Sequence, residues 1–220
     1  SGSALSASHE PPGRSGASHS SQARLSAISA SRLATATLRA RRGFLDGLVI
    51  SGGEPTLQEG LEGFIRTVRR MGFPVKLDTN GTRPEVLKRL LDEGLLDYVA
   101  MDVKAPYGLY EDVCGGPVDL DAVHASVRCL VKGAAPFEFR TTVLPHFRPR
   151  DIADIGDAIH GAARYVLQQF RPDKEIALRD PRLAAPPHTA QWFEARVAEL
   201  SARFPDVSTR GVKRRAANTG

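Results

Sequence analysis

Acidic, basic and amide side chains follow short apolar runs at three points of this sequence and lie within a fourth run, and a polar ligand could be bound where they meet. In chain order these candidates are Ser51, Gly52, Gly53, Glu54 and Pro55, then Asp78, Thr79 and Asn80, then Asp102, Val103 and Lys104, and finally Arg140. The two adjacent glycines would let the backbone approach a ligand closely. If the surrounding elements bring the four groups to one edge, they form one binding site.

Each group also has a simpler interpretation. Gly52 and Gly53 could form only a tight turn, and residues 78–81 have the composition of an ordinary turn. Asp102 and Lys104 point to the same side of a strand and could form a simple ion pair. Arg140 could be a structural partner of one of the acids. The functional interpretation therefore depends on all four groups having equivalent positions in successive units.

The elements that must position these groups alternate between strand and helix. Short apolar runs predict strands at residues 47–51, 74–77, 97–103, 137–144 and 165–170, with a possible edge strand at 207–212. Apolar residues at helical spacing predict helices between them, with capping boxes at Thr56 and Thr82. Such alternation is typical of a parallel sheet, either doubly wound or closed into a barrel or partial barrel. Both architectures place ligands at the carboxyl ends of the strands.

Composition indicates a soluble globular protein. Of the 220 residues, 41% are hydrophobic, and no apolar stretch approaches the roughly 18 to 20 residues of a membrane helix. The net charge is +5 and the pI about 9.5, with the arginines clustered at the two ends of the chain. No aromatic residues alternate with these basic runs, so a nucleic-acid partner is not favoured. Two cysteines make no disulfide framework and favour a reducing, cytoplasmic location.

Residues 1–37 differ in composition from residues 38–220. They are rich in serine, alanine and arginine and contain Glu10 as their one acidic residue. Three interpretations remain open: a disordered segment, an organelle transit peptide, or a segment translated in the wrong reading frame. We expect the folded domain to comprise residues 38–220.

Four segments resemble motifs of the radical S-adenosylmethionine (radical SAM) superfamily. Residues 52–55 are similar to its GGEP motif, and residues 77–81 and 101–104 are similar to segments of its glycyl-radical activating branch. Residues 165–172, with the sequence YVLQQFRP, most resemble activating proteins of the anaerobic ribonucleotide reductase (ribonucleoside-triphosphate reductase) type. The resemblance runs from near Leu38 to about Val212, with its motifs in the family's order.

This resemblance implies a partial (β/α)6 barrel, here without its first strand. In the family, three cysteines of a CxxxCxxC loop hold a [4Fe–4S] cluster, and S-adenosylmethionine chelates its fourth iron. The 5′-deoxyadenosyl radical formed there removes hydrogen from a glycine of a partner, which would be a glycyl-radical enzyme.

The resemblance also implies roles for the candidate residues. The backbone of Ser51, Gly52 and Gly53, together with Glu54, would receive the ammonium of S-adenosylmethionine. Its ribose and carboxylate would lie near Asp102 and Lys104, and Arg140 would offset the carboxylate charge. Asp78 and Asp102 would hold a monovalent cation. Pro55, Thr79, Asn80 and Val103 are assigned to the same site.

The sequence departs from the family at the cluster. No CxxxCxxC motif is present, and the two cysteines, Cys114 in a loop and Cys129 on a helix, cannot supply three ligands in one loop. We therefore expect no cubane cluster in this chain and no activity as encoded. The alternatives are a non-catalytic protein that binds S-adenosylmethionine or docks to a partner, a 7-carboxy-7-deazaguanine synthase type of radical enzyme, and an unrelated nucleic-acid-binding domain.

Overall fold

A computed structural model describes residues 34–41, 43–172 and 180–212. The chain divides into two compact units, Ser1–Arg42 and Gly43–Gly220. The described part of the first unit is helix α1, residues 34–40, which spans the domain boundary predicted after residue 37. Residues 1–33 lie outside the described residues, so the three interpretations of the first segment stay predictions, as does the missing first strand upstream of residue 47.

The second unit is built on a sheet of six parallel strands in the sequential order β1 to β6. A doubly wound sheet would reverse its strand order partway across, whereas sequential order is that of a barrel or an open part of one. The fold is therefore the α/β arrangement of a partial barrel. The strands are β1 Leu48–Ile50, β2 Val75–Thr79, β3 Tyr98–Asp102, β4 Phe137–Val143, β5 Arg164–Gln169 and β6 Asp206–Arg210.

Helices connect these strands and cover one face of the sheet. Right-handed crossovers in sequential order place every connection on the same side. The helices are α2 Leu61–Arg70, α3 Pro84–Asp92, α4 Tyr110–Cys114, α5 Leu120–Lys132, α6 Pro149–Ala158 and α7 Ala190–Leu200. We call the helix-covered face of the sheet the outer face and the opposite face the inner face.

The core lies between the outer face and the helices. In β2, Val75, Leu77 and Thr79 are buried on the outer face, while Lys76 and Asp78 alternate onto the inner face. The same alternation continues across β3 and β4, because the strands pair in register. The inner face therefore carries charged side chains, and those nearest the carboxyl ends of the strands belong to the candidate site.

Helix starts were the least accurate part of the sequence prediction. Thr56 does not begin a helix: Pro55–Leu57 is a 3-10 turn, and α2 begins at Leu61. The Thr56 hydroxyl donates to Glu54 instead of capping a helix. Thr82 likewise donates to Asn80, and α3 begins at Pro84. Glu54 also accepts a hydrogen bond from Thr56 N, and Asn80 Oδ1 accepts one from Thr82 N, so the side-chain acceptor at each turn lies two residues before the predicted cap.

Candidate functional site

Nine of the twelve predicted site residues line one pocket at the carboxyl ends of β1 to β4. The pocket has a volume of about 90 Å³ and is lined by Ser51, Gly52, Gly53, Asp78, Thr79, Asn80, Asp102, Lys104 and Arg140. The other three, Glu54, Pro55 and Val103, are buried beside the lining. The convergence that the sequence suggested follows from the parallel sheet, which brings equivalent strand ends to one rim.

The loop after β1 presents backbone to the pocket. Gly52 and Gly53 have positive φ angles of 101° and 53°, a region that favours glycine. A Cβ atom built on either glycine would meet nothing within 4 Å, so conformation and not crowding selects glycine here. Ser51, Gly52 and Gly53 are all exposed, which leaves the peptide groups of this loop accessible to a ligand.

Glu54 ties this loop to the end of β2. Its Oε1 accepts hydrogen bonds from Thr56 N at 3.1 Å, Thr56 Oγ1 at 2.5 Å and Thr79 Oγ1 at 2.7 Å. Its Oε2 accepts one from Asn80 N at 2.6 Å. The residue is 7% exposed. Its carboxylate thus has four donors from the protein and fixes two pocket loops relative to each other.

Arg140 lies between two carboxylates on the inner face. Its Nη1 donates to Asp78 Oδ2 at 3.0 Å, and its Nε donates to Asp102 Oδ1 at 2.9 Å. Burial by itself lowers the pKa of Arg140, but the charges and hydrogen bonds of Asp102 and Asp78 outweigh it and raise that pKa. The guanidinium places a positive charge between the two aspartates for which a monovalent cation was predicted. That cation site stays a prediction.

Lys104 supplies a second cation at the mouth of the pocket. Its Nζ lies 3.8 Å from Asp102 Oδ2, and its side chain is 43% exposed, so it can also reach a ligand. Its backbone N–H donates to the Tyr110 hydroxyl at 3.3 Å. Burial raises the pKa of Tyr110 well above its usual range, so this phenol stays neutral.

The backbone between Asp102 and Lys104 is fixed by β4. Val103 N donates to the Arg140 carbonyl at 2.9 Å, and Thr141 Oγ1 donates to the Val103 carbonyl at 2.7 Å. Val103 is fully buried and contributes through its main chain.

Sequence reasoning missed two residues that support the pocket. Tyr110 lies in α4, a one-turn helix too short to give a periodic signal. Lys76 precedes Asp78 by two residues in β2 and lies 3.6 Å from it. Strand alternation could have placed Lys76 on the same face as Asp78, but nothing in the sequence indicated its contact.

Neither cysteine approaches a metal-binding arrangement. Cys114 is exposed at the end of α4, and Cys129 is partly buried on α5. Burial raises the pKa of both thiols, which disfavours the thiolate that metals require. Over residues 34–41, 43–172 and 180–212, no group of three or more histidine, cysteine, aspartate or glutamate residues could hold a metal ion.

Within the described ranges, no helix has both the length and the apolar character needed to span a membrane.

Three comparisons with known proteins bear on the site. The model of the Radical SAM superfamily matches residues 24–159, more than half of the chain. It begins earlier than Leu38, where the motifs placed the start of the resemblance. A solved domain of a pyruvate-formate lyase-activating enzyme from Bacteroides vulgatus has a TM-score of 0.57 at 14% identity, covering 76% of this chain and 100% of that one. At this identity the match shows the fold alone.

Two curated proteins similar in sequence to this chain are named for different activities. A Methanocaldococcus jannaschii protein named a glycyl-radical enzyme activating enzyme is 38% identical over 135 residues, 59% of this chain and 56% of that protein. A 7-carboxy-7-deazaguanine synthase from Thermococcus kodakarensis is 26% identical over 138 residues, 62% of this chain and 53% of that protein. The chain thus spans about half the length of each of these relatives.

Proposed function

The chain belongs to the radical SAM superfamily, and on that basis we propose that its pocket binds the amino-acid end of S-adenosylmethionine. The observation that carries the proposal is the combination, in one pocket, of the exposed Ser51–Gly53 backbone with the cations Arg140 and Lys104. An α-amino acid end needs both: acceptors for its ammonium and cations for its carboxylate.

The size of the pocket suits a ligand of which only one end enters it. At about 90 Å³ it is smaller than the roughly 300 to 1,000 Å³ of pockets that enclose a whole ligand. It would take the amino-acid end and leave the rest of the molecule across the rim. Asp102, at 36% side-chain exposure, is the carboxylate placed to accept from a ribose hydroxyl there.

The residues then divide into those that contact the ligand and those that position them. The carbonyl groups of the Gly52–Gly53 loop accept from the ammonium, and Lys104 and Arg140 donate to the carboxylate. Glu54 contributes differently from the role implied by the family motif. Because its carboxylate already accepts four hydrogen bonds, we assign it to holding the loops and not to the ammonium.

The iron–sulfur cluster does not fit the described residues. A [4Fe–4S] cluster requires thiolate ligands close together. The sequence has only Cys114 and Cys129, and they lie on separate helices. We propose that this chain, as given, binds S-adenosylmethionine without holding the cluster and is inactive in that form.

For the whole protein we propose the activation of a glycyl-radical enzyme, of the anaerobic ribonucleotide reductase type. The name of the Methanocaldococcus jannaschii relative supports the first part. The similarity of residues 165–172 to activating proteins of that type supports the second. The inner face beside the pocket is where a partner segment would lie, since the helices cover the other face.

A 7-carboxy-7-deazaguanine synthase type of activity is the second candidate. It is favoured by the relative from Thermococcus kodakarensis. Its identity to this chain is lower than that of the glycyl-radical relative over a similar length, 26% against 38%. A non-catalytic protein that binds S-adenosylmethionine remains the alternative if no radical chemistry can be restored.

The test is a calorimetric comparison of S-adenosylmethionine with its decarboxylated analogue. The analogue keeps the ammonium, sulfonium and adenosine but lacks the carboxylate that Lys104 and Arg140 would bind. Loss of a charge-assisted contact predicts affinity weaker by at least about tenfold for the analogue. Equal affinities would show that the two cations do not bind the carboxylate, and the proposed orientation of S-adenosylmethionine in the pocket would be wrong.

A further inference from the structure

A second charged cluster lies on the inner face, centred on Glu138 of β4, two residues before Arg140. Glu138 Oε2 accepts hydrogen bonds from the Tyr98 hydroxyl at 3.2 Å and from Arg210 Nη2 at 2.9 Å. Arg164 Nε lies 3.7 Å from the same oxygen. The Glu138 side chain is 1% exposed, so these neighbours offset the cost of burying its charge.

Lys76 joins this cluster to the pocket. Its Nζ lies 3.7 Å from Glu138 Oε1 and 3.6 Å from Asp78 Oδ1. Among the described residues, both of these oxygens are buried without a hydrogen-bond partner. One ammonium group therefore faces two otherwise unpaired carboxylate oxygens and separates their like charges.

A series of ion pairs connects Lys76 to the residues of the pocket. Asp78 uses its other oxygen to accept from Arg140 Nη1, and Arg140 also donates to Asp102. The resulting chain alternates in sign along the inner face, in the order Glu138, Lys76, Asp78, Arg140, Asp102 and Lys104. Lys76 does not line the pocket, and Asp78 is the pocket residue that it contacts.

We propose that Lys76 is a positioning residue for ligand binding: it holds Asp78 so that Asp78 keeps Arg140 directed at the pocket. This rests on the proposed function, namely that the pocket binds S-adenosylmethionine. Without the ammonium, Asp78 and Glu138 repel each other across a buried gap. Asp78 then moves away from Glu138, and Arg140 loses one of its two anchors.

A purely structural role for Lys76 would have a different signature. It would change the stability of the sheet but not the affinity of a folded protein for its ligand. The positioning role predicts a change in affinity that depends on Asp78. Lys76 and Asp78 are therefore tested together, with thermal melting to show that each variant is folded.

The experiment measures the dissociation constant of S-adenosylmethionine by calorimetry for Lys76→Met, Lys76→Arg and wild type. Indirect coupling of this kind changes affinity by roughly 2- to 30-fold. We expect a loss in this range for Lys76→Met and recovery for Lys76→Arg. The control is Lys88→Met, which removes another lysine paired with a carboxylate, at 2.6 Å from Asp92 but 65% exposed on α3. It should leave the affinity unchanged.

A double-mutant cycle with Asp78→Asn shows whether Lys76 acts through Asp78. In the Asp78→Asn background, Lys76→Met should have little further effect. An equal loss in both backgrounds would overturn the proposal, as would an unchanged affinity in a folded Lys76→Met. If Lys76→Met does not fold, Lys76→Gln takes its place in the cycle. Absence of binding to the wild-type chain would instead refute the proposed function, and this inference with it.

Discussion

Two acidic residue types at the pocket, glutamate and aspartate, have different functions because their partners differ. The Glu54 carboxylate is surrounded by donors of its own protein and holds two loops together. Asp102 gives one oxygen to Arg140 and keeps the other 3.8 Å from Lys104, with a third of its side chain exposed. Glu54 is therefore a structural anchor, and Asp102 is available to a ligand.

Replacing Glu54 with glutamine tests the anchor. The glutamine amide can satisfy either the donors on Oε1 or the Asn80 N–H on Oε2, but it turns one acceptor into a donor. We expect the free energy of unfolding to fall by about 1 to 3 kcal/mol, the cost of an unsatisfied buried group. Chemical denaturation measures this.

Glu62→Gln is the matched control for Glu54→Gln. Glu62 is 40% exposed and pairs with Arg66 on the surface of α2. Its loss should change the free energy of unfolding by no more than about 0.5 kcal/mol. If both substitutions lowered the free energy of unfolding equally, Glu54 would not be a structural anchor.

The turn after β2 shows how packing in the core sets the shape of the pocket. Gly81 has a φ of +76°, and its carbonyl accepts a hydrogen bond from Ser126 Oγ of α5 at 2.7 Å. A Cβ atom at this glycine would lie 2.1 Å from Cε of Met101. The turn that carries Asn80 is thereby packed against β3 and α5 on the outer side of the sheet.

Gly81→Ala should therefore destabilise the protein by roughly 1 to 3 kcal/mol, through its positive φ and the displacement of Met101. Gly63→Ala is the control, since Gly63 lies inside α2 and a Cβ atom there meets nothing within 4 Å. That substitution should raise stability by up to about 1 kcal/mol, because alanine favours a helix more than glycine does. Urea denaturation measures the free energy of unfolding of both variants. An unchanged value for Gly81→Ala would show that the turn is not constrained.

Much of the fold could be predicted from the sequence because its signals are local. The apolar runs and their alternation with helical patterns predicted the parallel sheet. The predicted residues at the ends of the first three runs lie together at the pocket with Arg140 of the fourth. The starts of α2 and α3 could not be predicted, because Thr56 and Thr82 bond to Glu54 and Asn80, contacts set by the folded loops. Residue patterns alone left open the choice between a doubly wound sheet and a partial barrel. The resemblance to the radical SAM superfamily predicted the partial barrel, and the sequential strand order confirms it.

The contacts of Arg140 in the site could not be predicted from the sequence either. The sequence allowed two roles for Arg140: a structural partner of one acidic residue, or a positive charge that offsets a ligand carboxylate. The structure places its guanidinium against Asp78 and Asp102 at once, because β2, β3 and β4 are neighbours in the sheet. The contact between Lys76 of β2 and Glu138 of β4 also depends on the pairing of these strands and carries no motif.

For the whole molecule, the two cysteines predict how the chain responds to iron. Anaerobic reconstitution with iron and sulfide should leave it without the absorbance of a [4Fe–4S] cluster, because Cys114 and Cys129 cannot supply three thiolates. Iron analysis checks this. A content near four irons per chain, lost on Cys114→Ala or Cys129→Ala, would contradict it.

Binding of S-adenosylmethionine should not require that iron, because the pocket is formed by the sheet itself. The most direct measurement is a calorimetric titration of S-adenosylmethionine into the iron-free wild-type chain, Lys104→Ala and Lys132→Ala, the last altering an exposed lysine at the end of α5. The proposed site predicts saturable binding to wild type and Lys132→Ala, and affinity weaker by about tenfold for Lys104→Ala. Absence of binding to the wild type, or equal affinity for all three proteins, would contradict the assignment of this pocket to S-adenosylmethionine.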